Sequence, residues 1–305
     1  MTFRSLPIGR RAVMALPLLL AGGCSPAGIL NALSPDRLVA QSIVYGNGPR
    51  HSLDVYAPDP ASRHQAPHRV VLFVYGGRWD SGDKAMYRFV GGALAALGFI
   101  VVIPDYRLYP QVRYPDFLDD CAAALAWTRR NARRFGAATS PPFIMGHSAG
   151  AYNAAMLTLD PRWLGRVGLS PRTDLRGMVG LAGPYDFLPL DTEELRSIFA
   201  PGQKLRTTQP IAHVDGRNPP MLLLAGSADT VVRPSNTTRL AAAIRQAGGV
   251  VEERIYPGIG HLEILGAFAG SLRFLAPSLR DSARFMRDLD DSAHLTQAAP
   301  PIAER

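Results

Sequence analysis

Lysine is almost missing from this chain: of 33 basic residues only Lys84 and Lys204 are lysine, and the rest are arginine. The arginines are scattered, with no tract denser than pairs such as Arg129-Arg130 and Arg133-Arg134. Nucleic-acid binding calls for a concentrated basic patch and a reader motif, so a formal charge of +8 spread in this way argues against it. Cysteine is scarce as well. With only Cys24 and Cys121 there is no disulfide framework, and stability must come from a core. Cys121 sits in the helical pattern "DDCAAALAWTRR" with no activating neighbour, so it reads as a small core residue rather than a reactive thiol. The apolar run "AVMALPLLLAGG" is too short to span a bilayer comfortably, and Pro17 interrupts it. No His/Cys/carboxylate cluster has zinc spacing, and no G-x-G-x-x-G or Walker loop follows a strand. Neither a metal nor another cofactor is expected.

What is present divides unevenly. Residues 1–23 carry Arg4, Arg10 and Arg11 without an acid, then the apolar run, then Cys24. That is the layout of a secretory signal. "LLLAGGCS" is similar to a bacterial lipobox, with Cys24 as the lipidated first residue, although Ala21 stands where leucine is favoured. Plain signal-peptidase cleavage nearby is the alternative. Both place the protein outside the cytoplasm, in the periplasm or anchored to a membrane through a lipidated Cys24. The remaining 24–288, about the size of one large domain at 47% hydrophobic composition, forms the folded unit. Residues 289–305, polar and holding Pro300-Pro301, are expected to be disordered.

Within 24–288, "QSIVYG" and "HSLDVYAP" alternate like strands across the turn "NGPR", giving an antiparallel opening pair. "RVVLFVYGG", "FIVVIPDY", "PPFIMGH", "LRGMVGLAG" and "PPMLLLAGSAD" are different. They are continuous apolar runs of the kind buried on both faces of a sheet, and "VVEERIYPG" follows as a last strand. Helical patterns lie between them: Ala85 to Leu97, closed by Gly98; Pro115 to Phe135, closed by Gly136; "AGAYNAAMLTL"; and "PSNTTRLAAAIRQAGG". Such alternation specifies an α/β fold, a mostly parallel central sheet with helices on both faces. Residues 185–218 are an insertion, a small cap whose helix is "LDTEELRSIF".

The chemistry gathers at the C-terminal ends of these strands, where open α/β sheets place their sites. Gly146 and Gly150 bracket Ser148 in "GHSAG", between a buried strand and a helix, the setting of a nucleophile elbow. A serine hydroxyl needs a base, and the base needs an acid to orient it. Of seven histidines, His261 in "YPGIGH" directly follows the last strand, while His147 adjoins the serine and reads as support for the elbow. Asp229 ends "MLLLAGSAD" at a strand tip; its competitor Asp186, one strand earlier, is expected to shape the pocket wall. For an oxyanion, Ala149 supplies one backbone N–H, and Gly76 or Gly77 in "VYGGRW" the other, with Gly77 favoured.

These residues, in the order Ser148, Asp229, His261, resemble the α/β-hydrolase superfamily, and within it the bacterial carboxylesterase branch with its feruloyl-esterase-like and hormone-sensitive-lipase-like relatives. The resemblance runs from about Leu30 to Met286, through "LDVYAP", "YGGRWDSGDK", "DYRLYP", "GHSAGAYNAA", "AGSADTVV" and "YPGIGH". It implies the α/β-hydrolase fold and serine hydrolysis of short- to medium-chain carboxylic esters, with a small-molecule ester as the partner. Amide cleavage and an inactive exported binding protein are the alternatives. Tyr75 stands where members commonly carry histidine. Trp79 keeps the pattern and is expected beneath the oxyanion loop, with Asp105, Tyr106 and Arg107 as its bracing.

Overall fold

A computed structural model describes residues 26–32, 34–61 and 67–298. The expected signal sequence of residues 1–23 and Cys24 lie outside them. An eight-stranded sheet organises the chain: β1 (Leu38–Val44), β2 (Ser52–Tyr56), β3 (Arg69–Val74), β4 (Phe99–Pro104), β5 (Phe143–His147), β6 (Gly177–Leu181), β7 (Met221–Gly226) and β8 (Val251–Tyr256). Their spatial order is β1-β2-β4-β3-β5-β6-β7-β8. β1, β2 and β4 pair antiparallel, and every pairing from β4 to β8 is parallel.

The strands with continuous apolar sequence take the inside of the sheet. All residues of β4, β5, β6 and β7 are buried, as parallel strands covered on both faces require. The two edges differ. β1 alternates toward solvent and is broken by register shifts with Ser42 at φ 55°, and β8 carries Glu252, Glu253 and Arg254. Bulges and charges of this kind keep a sheet edge from pairing with another chain.

The helices are α1 (Pro26–Ala32), α2 (Arg88–Ala95), α3 (Asp116–Asn131), α4 (Ala149–Leu159), α5 (Pro161–Gly165), α6 (Pro171–Asp174), α7 (Glu193–Phe199), α8 (Ser235–Gln246), α9 (Glu263–Gly266) and α10 (Ser278–Ala298). α2 begins after a tight turn at Lys84–Tyr87, whose two free N–H groups bond to the Asp83 carboxylate. Gly98 and Gly136 close their helical segments at φ 96° and 87°, the left-handed conformation that glycine adopts without penalty. α4 is buried on every side, which suits its run of alanines.

Within residues 185–218, Thr192 caps α7 by accepting from Leu195 N–H at 3.1 Å. One expectation is corrected. The segment from 289 is not unstructured at its start, because α10 continues to Ala298. Leu279, Ala283, Met286 and Leu289 recur at helical spacing on a face packed against the core, and that pattern carries the helix into the polar end. Residues 299–305 lie outside the described residues.

Candidate active site

The loops after β3, β5, β7 and β8 meet at one end of the sheet. β5 turns into α4 within one residue, and Ser148 takes the turn at φ 55°, ψ −123°. The close approach explains both glycines. A Cβ on Gly146 would lie 2.3 Å from the Gly150 carbonyl oxygen, and one on Gly150 would lie 2.0 Å from that of Val74. Strand and helix could not pass so near with any larger residue. A non-glycine residue held at positive φ is strained, and such strain gathers at functional sites.

Ser148 Oγ lies 2.9 Å from His261 Nε2, and His261 Nδ1 lies 2.8 Å from Asp229 Oδ2. With Nδ1–H donating to the carboxylate, Nε2 is left to accept from the serine hydroxyl. The other carboxylate oxygen accepts from Val231 N–H at 2.9 Å and Val232 N–H at 2.8 Å. Burial alone would raise the Asp229 carboxyl. The bond from His261 and the two backbone donors outweigh it and hold the group below its ordinary value. Asp229 is thus a fixed, ionised acceptor. Asp186 is elsewhere engaged: Arg239 Nε reaches it at 2.9 Å and Arg206 at 3.5 Å, on the pocket wall where it was expected.

His147 does something the sequence did not suggest. Its Nε2 lies 3.0 Å from the His261 carbonyl oxygen, and the two rings are 4.8 Å apart. It therefore supports the histidine loop rather than the elbow alone. Burial, and then the neighbouring His261, push its pKa down to about 3, so the ring is neutral at working pH. A carbonyl oxygen only accepts, which assigns the proton to Nε2.

The loop after β3 lies beside the serine. The Cβ position of Gly76 falls 2.9 Å from Ser148 Cβ, while Gly77 turns away at φ 125° toward the Ser81 carbonyl. Arg78 and Trp79 follow at φ 52° and 64°, so three consecutive residues are held in positive φ. The N–H groups of Gly76, Gly77 and Ala149 meet no acceptor among the described residues. They are free to receive a developing negative charge.

This loop is braced from behind. Tyr75 donates its hydroxyl to Asp105 Oδ1 at 2.9 Å and accepts from Arg50 Nη2 at 2.8 Å. Arg50 also bonds the Gly82 carbonyl at 2.6 Å and the Tyr106 carbonyl at 2.7 Å. Tyr106 donates to the Tyr75 carbonyl at 2.9 Å. Tyr75 thus has a hydrogen-bonded bracing role behind the loop. Asp105 and Tyr106 act as expected, but Arg107 is corrected: it forks onto Asp120 of α3 and does not touch the loop. Arg50 was missed, since it sits in what reads only as a turn. Trp79 lies where expected, its indole N–H on Asn153 Oδ1 at 3.0 Å and its ring edge-on to Phe199 of the cap.

A cleft of about 470 Å³ opens onto Ser148, walled by Trp79, Phe187, Leu188, Leu195 and Val232 with Asn236 among its polar groups. Arg78, from the glycine loop, pairs with Glu194 of α7 across its rim. Among the described residues no cluster suited to a metal ion occurs, and no helix is long and apolar enough to cross a membrane.

Sheet order, elbow and loop-borne acid and base together define an α/β-hydrolase. Within that class the chain belongs to the BD-FAE family, whose model matches residues 53–244. It is 31% identical over 240 residues to the esterase LipC of Mycobacterium tuberculosis, covering 72% of this chain and 58% of LipC. It is 29% identical over 247 residues to the isoprenylcysteine alpha-carbonyl methylesterase ICME of Arabidopsis thaliana, covering 74% and 57%. The chain thus spans less than two thirds of the length of these curated relatives. Among solved structures, esterase B from Lactobacillus rhamnosis superposes with a TM-score of 0.76 at 18% identity, over 90% of this chain and 96% of that one. A truncated carbohydrate esterase from gut microbiota gives 0.72 at 20% identity, over 84% and 99%. These likenesses establish the fold.

Proposed function

We propose that the protein is a serine carboxylesterase acting on short- to medium-chain esters. The observation that carries this is the unbroken hydrogen-bonded series Ser148–His261–Asp229, flanked by the unengaged N–H of Ala149 and by the Gly76-Gly77 loop packed against the serine. In this reading Ser148 attacks the ester carbonyl while His261 Nε2 takes its proton, and Asp229 stabilises the imidazolium. The carbonyl oxygen, now negative, is held by Ala149 N–H and by Gly76 or Gly77 N–H. The intermediate expels the alcohol, which takes its proton from His261. Water then repeats the sequence on the acyl-enzyme, releasing the acid and restoring Ser148. The cleft volume and its aromatic and aliphatic walls favour modest acyl groups, and the curated relatives LipC and ICME are named as esterases.

The test is hydrolysis of p-nitrophenyl acetate, butyrate and octanoate by the wild type and a folded Ser148→Ala variant, with a formanilide and a peptide anilide alongside. Ester turnover lost in the variant is the expected result. Turnover of amides alone would replace the ester assignment, and turnover of neither by a folded wild type would overturn the enzyme reading. We further infer export, with Cys24 lipidated; the basic, apolar and small-residue order of residues 1–23 supports it. Metabolic labelling with a fatty acid, compared with Cys24→Ser, tests it, and equal labelling of the two would refute the lipid anchor.

A further inference from the structure

The His147 ring is wedged between three loops that must keep register. It belongs to the elbow itself, and its Nδ1 lies 3.3 Å from the position a Cβ on Gly76 would take. Its Nε2 meets the His261 carbonyl on the other side. The main chain is tethered on either side of His261, but its own carbonyl is held by the His147 ring. Ala228 N–H holds the Ile259 carbonyl at 3.0 Å upstream, and the Leu262 carbonyl accepts from Gly266 N–H at 2.7 Å downstream. Among the described residues, His147 is the donor to the His261 carbonyl. Its Nδ1 is buried and finds no partner there, so the ring satisfies one bond and one only. A second proton would have no acceptor and would set a cation against His261, which must itself become cationic during turnover. His261 and Asp229 are the titratable groups that bear on the ring.

We propose that His147 is a positioning residue of the reaction: a neutral, Nε2-protonated wedge that fixes the main chain of His261 against the elbow and the glycine loop. It does not touch the reacting atoms. By holding the His261 carbonyl it keeps the imidazole bonded to Ser148 and Asp229 together while the proton moves. This rests on the esterase reading of the site.

The experiment compares His147→Gln, which retains an N–H donor, with His147→Leu, which retains bulk and loses the donor. The readouts are kcat and KM for p-nitrophenyl butyrate, Tm, and the downfield proton NMR signal of the His261–Asp229 bond in the full chain. We expect the Leu variant to lose about 10- to 100-fold in kcat with KM little changed, as small misplacements of reacting groups do. We expect the Gln variant to recover most of that loss. The downfield signal should broaden or move in Leu and persist in Gln. Wild-type kcat in Leu, or equal losses in Leu and Gln at similar Tm, would overturn the proposal. If Leu fails to fold, His147→Ser, too short to reach the carbonyl, takes its place with the same expectations. If the wild type hydrolyses no ester, the esterase reading fails on its own. The NMR comparison still decides the positioning role, since an unchanged signal in Leu would sink it.

Discussion

A single methyl group on Gly76 should separate catalysis from folding. This residue is not in the left-handed region, so alanine meets no backbone penalty there. The penalty is contact: the new Cβ would sit 2.9 Å from the His147 carbonyl oxygen and 2.9 Å from Ser148 Cβ, where ordinary contact begins near 3.4 Å. Both neighbours are rigid, one ending β5 and the other fixed by the elbow. The glycine loop must therefore retreat by about half an ångström. A misplacement of about 1 Å can cost on the order of 100-fold in rate, so half of that predicts about 10-fold in kcat with KM nearly unchanged. Overpacking of this kind costs about 1–3 kcal/mol, and for a domain of this size Tm should fall by only several degrees. Steady-state hydrolysis of p-nitrophenyl butyrate beside a thermal melt measures both quantities. Gly150→Ala is the contrast, because its Cβ would stand 2.0 and 2.4 Å from two backbone carbonyls and should prevent folding. Wild-type kcat in Gly76→Ala would refute the placement of this loop beside the serine.

Asp229→Asn keeps the shape of the acid but removes the charge that orients His261, and kcat should drop by about 10⁴-fold; a loss under about 10-fold would show that another group orients the base. Stability should decline on acidification, because the unfolded chain protonates His147 at its ordinary 6.5 while the folded one resists to about 3. That contribution, roughly 4–5 kcal/mol, is whole above 6.5 and gone by about 3, with the depressed Asp229 adding to the fall below the usual carboxylate range. Urea titrations from pH 7 to 4 check this, and an equally steep decline in His147→Gln would contradict it. Trp79→Phe strips the indole donor from buried Asn153 and should cost about 1–3 kcal/mol in chemical denaturation; unchanged stability would mean that water replaces the bond.

The parts legible in the sequence are those whose physics is local. Continuous apolar runs can only be strands or helices buried on both sides, and the paired glycines of "GHSAG" announce a strand and a helix in near contact. Asp229 and His261 could be placed because each follows a strand at the same edge of the sheet. Contacts made across long stretches of chain left no such trace. Arg50 reaches Tyr75, Gly82 and Tyr106 from a turn that looks merely polar. The bond from His147 to the His261 carbonyl joins main chain to side chain 114 positions apart. Arg107 resembled a brace by its position in "DYRLYP", but its guanidinium found the carboxylate of Asp120 nearer at hand. At the end of the chain α10 runs on past the core-packed Leu289 into polar sequence that reads as a tail.

The insertion between β6 and β7 gives Phe187, Leu188 and Leu195 to the cleft, yet Ser148, Asp229 and His261 all lie outside it. One wall of the cleft is thus written apart from the three chemical groups, while Trp79, Val232 and Asn236 of the scaffold form the other. Varying Phe187, Leu188 and Leu195 would therefore reshape the cleft without altering the three chemical groups. What ties the insertion to the scaffold is broad: Glu194 against Arg78, Phe199 against Trp79, Tyr114 and Phe117, the Ile198 carbonyl on Tyr114 N–H, the Thr208 carbonyl on the Tyr152 hydroxyl, and Asp186 against Arg239.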